Sequence, residues 1–126
     1  VLARDFRYIM KQRGGMLAKG RLLGVQLDAL FTDNLYFEVS AHADRLAEQL
    51  RAKFVELGYD FFMPAQSNQL FPILPAKVRA YLGEKYTFIE MDKLDDGYVV
   101  CRFCTSWATK QENVDALCAD LEKISE

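Results

Sequence analysis

At 126 residues and 14.5 kDa the chain can hold one domain with a hydrophobic core, since chains of this size bury roughly two-thirds of their unfolded surface. Hydrophobic residues make up 51% and charged residues 27%, with three Pro and seven Gly, which excludes disordered, collagenous and low-complexity classes. A net charge of −2 with both signs interspersed leaves no footprint for nucleic acid or an anionic membrane surface.

No apolar run approaches the ~20 residues that a membrane-spanning helix needs, and nothing at the first residues reads as a signal peptide. Three Cys is an odd count in a chain that needs no staples, so a reducing, cytoplasmic setting is expected.

The chain opens without Met on a helical pattern. Leu2, Phe6, Ile9 and Met10 recur at helical spacing, with Arg4, Arg7 and Lys11 on the other faces and no capping residue ahead of them. That start is expected of a piece of a longer protein, with a processed terminus as the alternative. Gly14-Gly15 breaks the helix, because each Gly lowers helix stability by roughly 1 kcal/mol relative to Ala. A second helix is predicted over 16–30. It carries Leu22, Leu23, Val25, Leu27 and Leu30 and is apolar over most of its circumference, so it is either buried or covered by a partner.

Asp33 reads as the N-cap of a third helix, whose stripe runs through Leu35, Val39, Ala43, Leu46, Leu50, Phe54 and Leu57. Gly58 stands where a left-handed C-cap belongs. Beyond it the period shortens. Strands are predicted over 59–63 and 69–74, joined by a turn at Ala65-Gln66-Ser67-Asn68, with Pro72 marking an edge or a bulge. Pro75 opens a short helix to about Leu82. Strands over 86–91 and 98–104 flank a hairpin turn at Asp95-Asp96-Gly97. Thr109-Lys110-Gln111-Glu112 is a capping box, and Val114, Leu117, Cys118, Leu121 and Ile124 share one face of the last helix. The order predicts an α+β fold, with two N-terminal helices leading into a small, mostly antiparallel sheet covered by helices on one face.

Few residues carry candidate chemistry. Cys101 and Cys104 form a CxxC spacing, but within a strand residues three apart point to opposite faces, so neither a disulfide nor a shared metal is expected. The three thiols, Cys118 included, read as buried and reduced. His42 is the only histidine and lacks the companions that a metal site or a catalytic dyad requires, so no metal site is expected. Gly14 and Gly15, near Arg13 and Lys19, form either a helix-to-helix turn or a cradle for an anion such as phosphate. Arg102 interrupts the apolar strand Tyr98-Val99-Val100-Cys101-Arg102-Phe103-Cys104. A guanidinium there must either pair with a local carboxylate or line a cavity, where its planar fork suits bidentate capture of a carboxylate ligand.

Two segments carry a family resemblance. The run Phe6-Arg7-Tyr8-Ile9-Met10-Lys11-Gln12-Arg13-Gly14-Gly15-Met16-Leu17-Ala18-Lys19-Gly20-Arg21-Leu22-Leu23-Gly24 resembles the segment downstream of the cofactor lysine in the aromatic amino acid β-eliminating lyase/threonine aldolase family of fold-type I pyridoxal-phosphate enzymes. Val100-Cys101-Arg102-Phe103-Cys104-Thr105-Ser106-Trp107 with the helix after it resembles that family's C-terminal signature.

The resemblance implies connecting and interface helices over 1–33, continuing from an N-terminal large domain, and a small C-terminal α+β domain over 34–126. It implies pyridoxal 5'-phosphate as cofactor and a cytoplasmic homodimer or homotetramer. The implied reaction cleaves a β-hydroxy-α-amino acid, such as threonine or allo-threonine, to glycine and an aldehyde. Arg102 would bind the substrate α-carboxylate. Arg13, Gly14, Gly15 and Lys19 would lie near a cofactor site, that of the neighbouring subunit. The chain departs from the family at Leu17, where an Arg is usual, and no lysine here matches the Schiff-base lysine. The catalytic residues would therefore lie outside this chain, which alone would be inactive. The other reading is a non-catalytic α+β binding or dimerisation module.

Overall fold

A computed structural model describes residues 3–64, 66–94 and 97–125 of the chain. Leu2, Ala65, Asp95 and Asp96, which figure in the first helical stripe, the 65–68 turn and the hairpin turn, lie outside the described residues. The chain divides into two compact units, one ending at Tyr36 and the other starting at Phe37.

The N-terminal unit holds helix α1 (Phe6–Gln12) and helix α2 (Arg21–Phe31). Asp5 occupies the position ahead of α1, so the helix has a capping residue type after all, although its side chain makes no cap hydrogen bond. Helix α1 ends in a Schellman motif. The Gly15 amide donates to the Met10 carbonyl (2.8 Å), the Gly14 amide donates to Lys11 (3.1 Å), and Gly14 takes φ +75°. Gly15 also packs close to Met10, where an added Cβ would stand 2.9 Å from Cγ.

Helix α2 begins five residues later than the sequence predicts, because residues 16–20 form bends and turns that end at Gly20. Its leucines are exposed, with Leu22 at 65% and Leu23 at 54%. Instead of capping from an extended backbone, Asp33 takes a left-handed conformation (φ 51°) within a short 3-10 turn, Thr32–Asn34.

The second unit is built on helix α3 (Leu35–Glu56), which buries Ala43, Leu46, Ala47, Leu50 and Phe54 at helical spacing. Gly58 (φ +80°) closes it with a second Schellman motif, in which Tyr59 N–H donates to the Phe54 carbonyl and Gly58 N–H donates to Val55. The predicted strand over 59–63 reduces to one bridge, Phe61 to Pro72. The next predicted strand is split into β1 (Gln69–Leu70) and β2 (Ile73–Pro75), because Pro72 has no N–H to continue the ladder. Helix α4 (Ala76–Gly83) follows, then β3 (Ile89–Lys93), β4 (Tyr98–Cys104) and helix α5 (Gln111–Ser125). Strand β3 starts three residues late, since the amides of Lys85 and Tyr86 are still bonded to Leu82 at the end of α4.

Strand β4 is the spine of the sheet, flanked by β1 and β2 along one edge and by β3 on the other, with every pair antiparallel. Val99, Cys101 and Phe103 point from β4 into a core shared with α3, α4 and α5. Phe54 sits at its centre, with ring contacts to Tyr59, Phe61 and Phe103. The fold is thus the α+β arrangement that the sequence predicts, with the helices of this unit on one face of the sheet.

Candidate functional site

Arg102 lies on the opposite face of β4 from that core, by the strict alternation of a strand. Its register partner on β3 is Ile89, which is exposed, and a bulge between Glu90 and Asp92 bends β3 just beyond that pair. Val100 shares the face and is almost fully buried. Among the described residues no carboxylate pairs with Arg102, and its Nε–H is buried without a hydrogen-bond partner. An unmade hydrogen bond on a buried donor costs about 1–3 kcal/mol, and more on a charged one, which sets this Nε–H apart. Of the two readings left open by the sequence, pairing with a local acid finds no support among the described residues.

The strand end just past Arg102 is heavily tied down. Thr105, which is buried, donates its hydroxyl to the Ala43 carbonyl of α3 (2.7 Å). Its amide donates to the Asn68 carbonyl (3.0 Å), and the Asn68 side-chain amide donates back to the Thr105 carbonyl (2.7 Å). The Thr109 hydroxyl accepts the Ser106 amide (2.9 Å), so it closes the 106–109 loop where the capping-box reading would have it serve the helix.

His42 is a structural residue. Its Nε2–H donates to the Thr109 carbonyl (2.9 Å), while Nδ1 accepts from Arg45 (3.3 Å), and this pattern assigns the Nε2–H tautomer. The thiols of Cys101 and Cys104 diverge as expected, but Cys104 is exposed where burial was expected, because it falls on the same side of the strand as Arg102 at the sheet's end. Burial pushes the Cys101 thiol up to about 11 and raises that of Cys118. Among the described residues no cluster of His, Cys, Asp or Glu could hold a metal ion.

The amides of Gly14 and Gly15 are committed to closing α1 and are not free to cradle an anion. The side chains of Arg13 and Lys19 are exposed. These four residues lie in the N-terminal unit and Arg102 in the other.

One polar cluster escaped sequence reading. Asp120, buried on α5, accepts from Tyr86 (2.8 Å), Lys85 (2.9 Å) and Tyr81 (3.3 Å). Its carboxyl is held down at about 2, first by Lys85 and then by Tyr86. The available signal was a charge three residues after Leu117 and one before Leu121, inside an apolar stripe, as Arg102 is inside an apolar strand. A cavity of about 260 Å³ opens on the helical side of the sheet between Leu70, Phe103, Thr109 and Asn113, and Arg102 does not line it.

The helix-backed antiparallel sheet matches a small C-terminal α+β domain of a threonine aldolase. The chain is similar to the threonine aldolase of Leishmania major, with 38% identity over 99% of its own length and a TM-score of 0.87. It spans 36% of that protein's chain. The serine palmitoyltransferase of Sphingomonas wittichii shares the fold over 66% of this chain and 23% of its own, at 20% identity and a TM-score of 0.53. No protein-family model matches the chain, and no curated protein matches it. No helix among the described residues is long and apolar enough to cross a membrane.

Proposed function

We propose that this chain is the C-terminal portion of a pyridoxal-phosphate-dependent aldolase that cleaves a β-hydroxy-α-amino acid to glycine and an aldehyde, and that Arg102 binds the substrate carboxylate. The observation that carries the reading is the buried, partnerless Nε of Arg102 on the sheet face away from the helices, in a chain 38% identical to a threonine aldolase. A guanidinium already held in a strand, with no acid paired to it among the described residues, has a donor to spare for a carboxylate and needs little reorganisation to use it.

Arg102 acts by orientation. Fixing the carboxylate would fix the orientation of the bonds at Cα, and positioning of this kind is worth several kcal/mol. When bound in the intact enzyme, pyridoxal phosphate would supply the electron sink for cleavage at Cα. On this side of the chemistry the chain offers Arg13 and Lys19 as cations for a phosphate, those of the neighbouring subunit in a homodimer or homotetramer. The rest of the site, with the cofactor-anchoring lysine, would come from an N-terminal large domain, and free cysteines suit a cytoplasmic enzyme.

Arg102→Ala and Arg102→Lys in the intact enzyme should raise KM for the amino acid and lower kcat/KM by ~10² or more. The 126 residues alone, mixed with pyridoxal phosphate, should show no turnover. Unchanged kinetics in both variants would remove Arg102 from the site, and robust activity of the isolated chain would overturn the domain reading.

A further inference from the structure

We infer that Asn68 and Thr105 are positioning residues for Arg102, holding the strand end that aims its guanidinium at the substrate carboxylate; this rests on the functional reading above. The sheet is weakest on one edge of β4 beside Arg102. There β1 supplies only two residues and β2 begins only after Pro72, so the chain facing Cys101 and Arg102 on that side is not a strand. What it does supply is a single bond, from the Cys101 amide to the Pro72 carbonyl (3.0 Å).

Beyond Cys104 the ladder is extended by a side chain. The Asn68 carboxamide donates to the Thr105 carbonyl as a backbone amide would, while the Thr105 amide donates to the Asn68 carbonyl, so the two residues exchange bonds in the manner of an antiparallel pair. The Thr105 hydroxyl then fastens this extension to the middle of α3 at Ala43. Only Phe103 and Cys104 separate Thr105 from Arg102, along a strand whose opposite edge is bent by the β3 bulge. The clamp is thus the fixed point from which the position of the guanidinium is set, and a misplacement of about 1 Å at such a group can cost up to ~10² in rate.

The test compares variants of the intact enzyme by steady-state kinetics with a β-hydroxy-α-amino acid and by calorimetric binding of glycine. Thr105→Val replaces the hydroxyl by a methyl of similar size, and Asn68→Ala removes the carboxamide. Asn68 is half-buried, so its variant serves even if Thr105→Val does not fold. Each should weaken glycine binding and lower kcat/KM per folded site about tenfold, with a raised KM. Thr105→Ser, which keeps the hydroxyl, should restore both.

Wild-type KM and glycine affinity in Thr105→Val and Asn68→Ala, with both lost in Arg102→Ala, would overturn the positioning role and leave the functional reading standing. A fall in kcat alone, following the folded fraction, would likewise reduce the clamp to a stability element. If Arg102→Ala itself leaves KM and glycine affinity unchanged, the functional reading fails and the positioning role falls with it.

Discussion

Tyr86 donates its phenol to Asp120 across 2.8 Å, and that bond ties the segment leading into β3 to the last helix of the protein. Lys85 completes the arrangement from the same segment, sitting over the Tyr81 ring while bonding the carboxylate. Because the Asp120 carboxyl lies near 2 when folded and near its ordinary value, about 3.9, when unfolded, the network stabilises the fold above about pH 4. That contribution is lost as the pH falls toward 2. The Lys85 and Tyr86 values are raised, Lys85 chiefly by its bond to Asp120 and Tyr86, up to about 12, chiefly by burial. Their share persists below about pH 10 and fades only above it. Asp120→Asn should lower Tm at pH 7 by ~5 °C or more, with the two melting temperatures converging as the pH approaches 2. A constant difference across that range would show that the charge is not what the network uses.

Phe54 is fully buried and touches three other aromatic rings. Phe54→Ala should cost about 3–5 kcal/mol in chemical denaturation, from lost burial and from the cavity left between α3 and β4. Phe54→Leu should cost markedly less, since it refills most of the volume.

Cys104 should react with a thiol reagent in the native protein, while Cys101 and Cys118 react only on unfolding. Burial removes access to the latter two and raises their thiols, Cys101 to about 11, so the reactive thiolate is scarce at neutral pH. Mass spectrometry after brief alkylation checks this, and equal labelling of all three would mean that the β4–α5 core opens readily.

Gly58→Ala should destabilise the protein by about 1 kcal/mol through backbone conformation alone, because a Cβ there meets nothing within 4 Å while φ is +80°. Gly58→Asn should cost less, since Asn tolerates the left-handed region. Equal loss in both, read from urea midpoints, would point to packing instead.

Much of the helical framework was legible because it is written in local periodicity. The stripe from Ala43 to Phe54, the left-handed stop at Gly58 and the apolar face of α5 each depend on residues within a few positions of one another. The strands before β4 were harder to read. Residues 59–63 have strand-like composition but make only the Phe61–Pro72 bridge, because what decides a strand is a partner's free backbone groups and Pro72 offers only half of them.

Composition, helical spacing and the oddity of one arginine in an apolar strand were enough to determine a small α+β domain and to single out Arg102. Only the tertiary structure could decide that Arg102 and Cys104 share the face away from the helices, that the Gly14 and Gly15 amides are consumed in closing α1, and that Asn68, Thr105 and Asp120 hold the surrounding framework. The last of these rests on hydrogen bonds between residues tens of positions apart, such as Ala43 with Thr105 and Tyr86 with Asp120, and the polarity of a residue in sequence does not say which distant group will satisfy it.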